Sequence, residues 1–89
     1  MLYATKIKMN YGCRSSQYPE DIDQIYINGY GWYTKETLYN HLTQYPKSFV
    51  VNISPYPYLI PAISRNGEQY VRSSPNQYQH DDLLDLPRE

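Results

Sequence analysis

The hydrophobic pattern near the start of the chain alternates with a period of two. Leu2–Tyr11 has one mostly apolar side, with Tyr3, Thr5, Ile7 and Met9, and one polar side, with Lys6 and Lys8. This alternation is typical of a half-buried β-strand. A loop of turn-forming residues follows. The apolar stretch Ile22–Ile27 then predicts a second strand.

One helix is predicted in the middle of the chain. Asn28-Gly29 marks a turn after the second strand, and two glycines then alternate with three aromatic residues up to Tyr33. Thr34 is a suitable N-cap and Pro46 ends the pattern, so we expect a helix over Lys35–Tyr45. So short a helix must pack on a sheet, and its narrow apolar stripe consists of Leu38, Leu42 and Tyr45.

The second half of the chain predicts three further strands. Ser48–Ser54 is apolar and β-branched, and Ala62–Ser64 and Glu68–Ser73 flank the hairpin signal Asn66-Gly67. The prolines in between cannot donate to a sheet ladder, so their segment is expected at an edge, in a bulge or in a loop. Near the end, three leucines are expected to dock on the core: Leu83, Leu84 and Leu86.

The predicted element order is β-β-α-β-β-β. It indicates an α+β fold, a small and mainly antiparallel sheet of about four to five strands with one helix packed on one face. We expect a single domain over residues 1–89, since typical domains have about 100–150 residues. A chain of this size has little room for an enclosed catalytic cavity, so a surface site, a groove or a site between subunits is expected.

Charge and cysteine content narrow the function classes. Eight Lys/Arg side chains stand against nine Asp/Glu, and the net charge is −1. This argues against a general nucleic-acid binder, which usually needs a basic face. The single cysteine, Cys13, excludes an internal disulfide and a multi-cysteine zinc site. No apolar run is long enough to span a membrane and no signal sequence is recognisable, so a cytoplasmic protein without membrane association is expected.

Tyrosine is the most unusual component of the sequence. The chain has twelve tyrosines but only one tryptophan and one phenylalanine. Tyrosine is favoured where one end of a side chain is apolar and the other is wet. Tyr3, Tyr26 and Tyr70 fall on predicted strands. Seven others fall in predicted loops or turns, at Tyr11, Tyr18, Tyr30, Tyr33, Tyr56, Tyr58 and Tyr78.

These loop tyrosines predict a binding surface. Aromatic rings stack on nucleobases and arginine contacts phosphate through a planar fork, whereas tyrosine and arginine are also enriched in protein–protein interfaces. Composition alone leaves both interpretations open: the ligand is a nucleotide-like small molecule or another protein. The predicted ligand-binding residues are Tyr11, Arg14, Tyr30, Trp32, Tyr33, Tyr56, Tyr58, Arg65 and Arg72.

An enzyme is the third interpretation, and the sequence supports it least. His80, Asp82 and Asp85 are acceptable metal ligands but lack the spacing of a zinc motif. Cys13 beside Arg14 is a conceivable nucleophile, but no nucleophile signature surrounds it. We therefore predict no catalytic residues, no metal site and no cofactor.

Three segments resemble a known family. The opening YATKIK, the strand Tyr70–Ser73 and the ending Asp82–Pro87 (DLLDLP) are similar to the small bacterial and phage proteins of the domain of unknown function family numbered 3892. The chain departs from them in Asp82, where asparagine is common, and in the long Tyr11–Asp21 insertion. The resemblance implies a fold and a bacterial or viral source, and no established activity.

The resemblance also suggests a role, because such proteins occur often in phages and mobile elements. We expect a non-catalytic protein that counters host defence by sequestering a nucleotide-like signal. The alternative is a direct protein inhibitor of a host enzyme. A homo-oligomer is expected in either case, since so small a chain would enclose a ligand best between subunits.

Overall fold

Two β-sheets and one α-helix make up the part of the chain that the computed structural model describes, residues 2–74 and 81–89. The helix α1 spans Lys35–Gln44, and short 3₁₀-helices cover Pro19–Asp21 and Asp82–Asp85. The strands within these residues are β1 (Leu2–Met9), β2 (Ile22–Ile27), β3 (Gly31–Thr34), β4 (Phe49–Val51), β5 (Leu59–Ile63) and β6 (Gln69–Ser73). The predicted α+β class is confirmed.

The strands form a four-stranded sheet in the order β3-β2-β1-β4 and a separate pair, β5-β6. Neighbours are antiparallel except β1 and β4, which run parallel. The predicted element order lacked β3 because the glycines beside Tyr30 suggested a flexible segment. Gly29 and Gly31 instead adopt φ values of 86° and 114°, which glycine tolerates readily, and they close a hairpin that pairs Gly31–Thr34 with β2.

A β-bulge in β1 changes which side chains point outward. The pairing with β2 shifts between Ala4 and Lys6, and such a shift moves later residues to the other face of a sheet. The buried side chains of β1 are Ala4, Ile7 and Met9. The prediction that Tyr3 lies on the apolar side with Ile7 is therefore wrong, and Tyr3 is exposed.

Helix α1 begins where the sequence predicts. The Thr34 side chain accepts a hydrogen bond from the Thr37 backbone N–H at 3.2 Å, which is the usual N-cap contact. Leu38 and Leu42 are buried, whereas Tyr45 at the end of the predicted stripe is 60% exposed. The helix contacts strands of both sheets, so it joins them in one core.

The segment after β4 turns back on itself. The Ile53 and Tyr56 backbone N–H groups donate to the Val51 and Ile53 carbonyls, which ends β4 earlier than the predicted Ser48–Ser54. Pro61 lies within β5, opposite Val71. It is tolerated there because β5 pairs only with β6 in its two-stranded sheet and the missing N–H breaks no second ladder.

Residues 81–89, which we call the tail, dock on the core as predicted. Leu83, Leu84 and Leu86 are all buried. Beyond them, the Ile7 N–H donates to the Pro87 carbonyl and the Glu89 N–H donates to the Ile7 carbonyl, both at 2.9 Å. The tail thus continues the four-stranded sheet alongside β1.

The hydrophobic core lies on one face of the four-stranded sheet. A single buried cluster joins residues of β1, β2, α1, the β5-β6 pair and the tail, among them Ile7, Ile25, Leu38, Leu59, Val71 and Leu83. The outward side chains of β1, such as Tyr3 and Lys8, point away from this cluster and are exposed. The opposite face of the sheet is therefore an open surface.

Candidate ligand-binding face

Aromatic rings and lysines share the open face of the four-stranded sheet. Lys6 lies opposite Tyr26, and Tyr26 lies opposite Trp32, across β1, β2 and β3. Residues directly opposite each other on antiparallel strands project from the same face. This register places one lysine and two rings in a row, with Lys8 two residues further along β1.

The side chains at this end of the face contact one another. The Tyr26 and Trp32 rings meet edge to face, with centroids 5.4 Å apart at an interplanar angle of 71°. The Lys6 ammonium lies 4.8 Å from the Tyr26 centroid and the Lys8 ammonium lies 4.9 Å from that of Trp32. Both distances are within the range of cation–π attraction.

A second group of rings lies at the other end of the face. Tyr58 is bridged to Val50 of β4, and Val50 is paired with Tyr3 of β1. The Tyr3 ring contacts the Tyr56 ring edge to face at 6.3 Å. The Lys47 ammonium lies 5.7 Å from the Tyr58 centroid, which repeats the ring and cation arrangement of the first group.

We call these two groups together the ring–lysine face. Its first end consists of Lys6, Lys8, Tyr26 and Trp32, and its second end consists of Tyr3, Lys47, Tyr56 and Tyr58.

A carboxylate of the tail pairs with a lysine of this face. Glu89 of the tail lies 3.4 Å from the Lys6 ammonium, and both side chains are about half exposed. An exposed ion pair of this kind contributes at most about 1 kcal/mol, so Lys6 remains available to another anion. Asp23 lies on β2 of the same sheet, and further acidic residues lie on α1 (Glu36) and at the two 3₁₀-helices.

The structure divides the predicted aromatic site residues between two faces. Trp32, Tyr56 and Tyr58 belong to the ring–lysine face. Tyr33 follows Trp32 on β3 and therefore projects to the opposite side. Tyr30 and Tyr33 line a groove there.

The groove has a volume of about 220 Å³ and an almost entirely apolar lining. It lies between the four-stranded sheet and α1, and its lining consists of Leu2, Ile27, Tyr30, Tyr33, Thr37, Leu38, His41 and Phe49. Its size is below that of common drug-sized ligand sites, which are about 300–1,000 Å³. A single small ring would fill it.

The predicted arginines do not join the rings. Arg14 lies in the loop after β1, where the Arg88 guanidinium donates to its carbonyl at 2.8 Å. Arg65 lies in the turn between β5 and β6, and Arg72 lies on β6. The cations next to the rings are lysines instead. Tyr11, in the same loop as Arg14, is fully exposed, and Tyr78 lies outside the described residues.

Sequence reasoning missed five members of the face: Tyr3, Lys6, Lys8, Tyr26 and Lys47. A signal for two of them was present, because the alternation in β1 already placed Lys6 and Lys8 on the outward side. The missing information was the strand register, which sets Lys6 opposite Tyr26 and Tyr26 opposite Trp32. The sequence analysis predicts binding by loop tyrosines, whereas Tyr3 and Tyr26 present their rings from strands on the open sheet face.

A second polar cluster, between β6 and the tail, is structural. One carboxylate oxygen of Asp81 accepts from the Ser73 hydroxyl at 2.8 Å, and also from the Ser73 and Leu83 backbone N–H groups. Its other oxygen lies 3.9 Å from Nε of Arg72. These contacts fix the tail against β6, while Nε of Arg72 and the second carboxylate oxygen of Asp81 are buried without a hydrogen-bond partner among the described residues.

Tyr70 is next to this cluster. Burial raises the pKa of its phenol above the ordinary 10.0, and Glu20 and Asp81 raise it further while Arg72 opposes them. The folded state therefore disfavours the phenolate. The neutral Tyr70 phenol therefore contributes to the free energy of unfolding fully below about pH 10, and this contribution is lost as the pH rises further.

The described candidate metal-ligand and thiol residues lie in the tail and in the loop after β1. No group of three or more His, Cys, Asp or Glu side chains among residues 2–74 and 81–89 could hold a metal ion. His80 of the candidate metal set lies outside those residues. Cys13 is partly buried and packs against the core cluster. No helix in the described parts of the chain is long and apolar enough to cross a membrane.

Comparison with known proteins gives one match. A family model described as "Protein of unknown function (DUF3892)" matches residues 5–87, which is nearly the whole chain, with Tyr3 of the ring–lysine face and Glu89 of the tail outside the match. No curated protein and no solved structure matches the chain.

Proposed function

Because the chain belongs to the DUF3892 family of proteins of unknown function, which assigns no activity, we propose its function from the ring–lysine face. The protein is a non-catalytic binder of a nucleotide-like ligand, whose base stacks on a ring and whose phosphate contacts a lysine. The observation that supports this most is the repeated pairing of an ammonium with an aromatic ring on one open sheet face.

Binding requires the lysine and the base to exchange places. In the free protein the Lys8 ammonium occupies the region over the Trp32 ring, a contact of about 0.5–1 kcal/mol at an exposed site. A stacked base contributes about 1–3 kcal/mol, so the exchange favours the base. The displaced ammonium stays within a side-chain length of the base and is placed to contact its phosphate.

The biological role we propose is sequestration. A protein that binds a nucleotide signal without converting it lowers the free concentration of the signal in proportion to its own amount. For a phage or mobile-element protein this would counter a host defence that depends on such a signal. The family resemblance supports that context, and the ring–lysine face supports the ligand class.

The groove lined by Tyr30 and Tyr33 supports a second candidate function, inhibition of a host enzyme by direct contact. Tyr30 is 63% exposed beside an apolar depression, and exposed tyrosines at apolar sites are common interface anchors. Tyr30→Ala separates the two functions. It should abolish protein inhibition and leave nucleotide binding unchanged.

The nucleotide proposal can be tested with the single tryptophan of the chain as the probe. Adenosine 5′-monophosphate is expected to quench Trp32 fluorescence on stacking, and to bind more tightly than adenosine because only the monophosphate contacts a lysine. Lys8→Gln should weaken monophosphate binding by up to about fivefold in calorimetry, the effect of about 1 kcal/mol. Arg65→Gln removes the same charge from the β5-β6 turn and should change nothing. The proposal would be refuted if millimolar nucleotide produced no quenching of Trp32 fluorescence and no heat of binding.

Removal of the Glu89 carboxylate should have the opposite effect. Glu89→Gln eliminates the charge 3.4 Å from Lys6, and we expect affinity for adenosine monophosphate to rise by up to about fivefold. Glu68→Gln is the matched control. Glu68 directly precedes β6, and its replacement should leave affinity unchanged. If both variants raise the affinity equally, the net charge of the protein determines the affinity, and competition between Glu89 and the phosphate for Lys6 does not.

A further inference from the structure

We infer that the ligand of the ring–lysine face is a short single strand of several nucleotides. This inference rests on the proposed function, and it names the ligand more closely. The observation behind it is that the ring and ammonium arrangement occurs at both ends of the face, at Trp32 with Lys8 and at Tyr58 with Lys47.

The two ends are too far apart for one nucleotide. Trp32 is on β3 and Tyr58 is bridged to β4, at opposite edges of the strand order β3-β2-β1-β4. Four lateral steps of about 4.8 Å separate them, or roughly 19 Å. A base stacked on the Trp32 ring therefore leaves Tyr58 and Lys47 empty, and only a ligand with repeated units can use both ends.

The intervening positions fit such a repeat. Between the Trp32–Lys8 and Tyr58–Lys47 pairs lie Tyr26 with Lys6 over its ring, and the Tyr3–Tyr56 ring pair. Rings for bases and cations for the linking phosphates, alternating along an open surface, are the arrangement by which proteins bind single strands without reading sequence. A duplex keeps its bases stacked inside and would offer them to none of these rings.

The charge of the face also limits the length of the ligand. Three lysines, one of them shared with Glu89, can neutralise about three phosphates. For single strands this corresponds to a slope of about −2 in a plot of log affinity against log salt. Long nucleic acids gain nothing more, which is consistent with the net charge of −1.

The test is a length series of oligoadenylates from one to six units, titrated into the full chain by calorimetry. We expect the tetranucleotide to bind at least about 30-fold more tightly than the monophosphate, because two or more additional bases stack, and the hexanucleotide to gain little more. Lys47→Gln should weaken tetranucleotide binding, because it removes the ammonium next to the Tyr58 ring. Arg65→Gln serves as the control for charge.

The possible results separate the two proposals. Equal affinity for the monophosphate and the tetranucleotide would overturn the single-strand inference and leave the proposed function standing. Equal affinity for a tetranucleotide and a duplex of the same length would also overturn it. Absence of binding by every member of the series would refute the proposed function itself.

Discussion

Replacement of Leu83 by alanine is expected to lower the free energy of unfolding by about 2–5 kcal/mol, the cost of removing a fully buried leucine side chain and leaving a cavity. Leu83 has no solvent exposure and belongs to the same core cluster as the strands. The total free energy of unfolding of a small domain is only about 5–15 kcal/mol. Thermal unfolding should therefore show a midpoint at least about 10 °C lower.

Ile63→Ala is the control for Leu83→Ala. Ile63 is a strand residue with 59% exposure, so its truncation removes little buried surface and should cost under about 1 kcal/mol. The prediction also assigns a role to the DLLDLP segment, which is then a structural element that anchors the tail. A Leu83→Ala protein of normal stability with lost nucleotide binding would contradict that assignment.

The double variant Tyr26→Ala/Trp32→Ala should lose at least about 30-fold in affinity for the tetranucleotide, since each ring stacks a base for about 1–3 kcal/mol. Both side chains project from the open face and neither belongs to the core cluster, so the fold should persist. Calorimetry measures the affinity because the fluorescent probe is gone, and circular dichroism verifies that the sheet remains.

A matched double variant is available in the loop after β1. Tyr11→Ala/Tyr18→Ala also removes two rings, from exposed positions off the ring–lysine face. It should leave affinity unchanged. Equal losses from both doubles would mean that tyrosine content matters more than its placement on the sheet.

Much of the fold could be predicted from sequence, because its signals are local. The Thr34 cap, the Asn66-Gly67 hairpin and the docking leucines of the tail each depend on a few adjacent residues, and each is present. The parallel pairing of β1 with β4 joins residues far apart in the chain, and the bulge in β1 depends on its partner. Neither has a local signal.

Three of the eight residues of the ring–lysine face could be predicted, for the same reason. Aromatic rings on a surface are visible in composition, so Trp32, Tyr56 and Tyr58 were identified. Their partners are defined by register, and a shift of one residue would have turned Tyr26 inward. The arginines were chosen for their chemistry alone, and the fold places them on other elements.

The tail has a further consequence for the behaviour of the protein in concentrated solution. β4 pairs only with Leu2–Ala4 of β1. On the side of β1 away from β2, the backbone groups after Ala4 would therefore be unpaired without the tail. Such an edge is a template on which another chain can add a strand and aggregate. The hydrogen bonds of Pro87 and Glu89 to Ile7 occupy this edge, so the tail prevents another chain from pairing with β1.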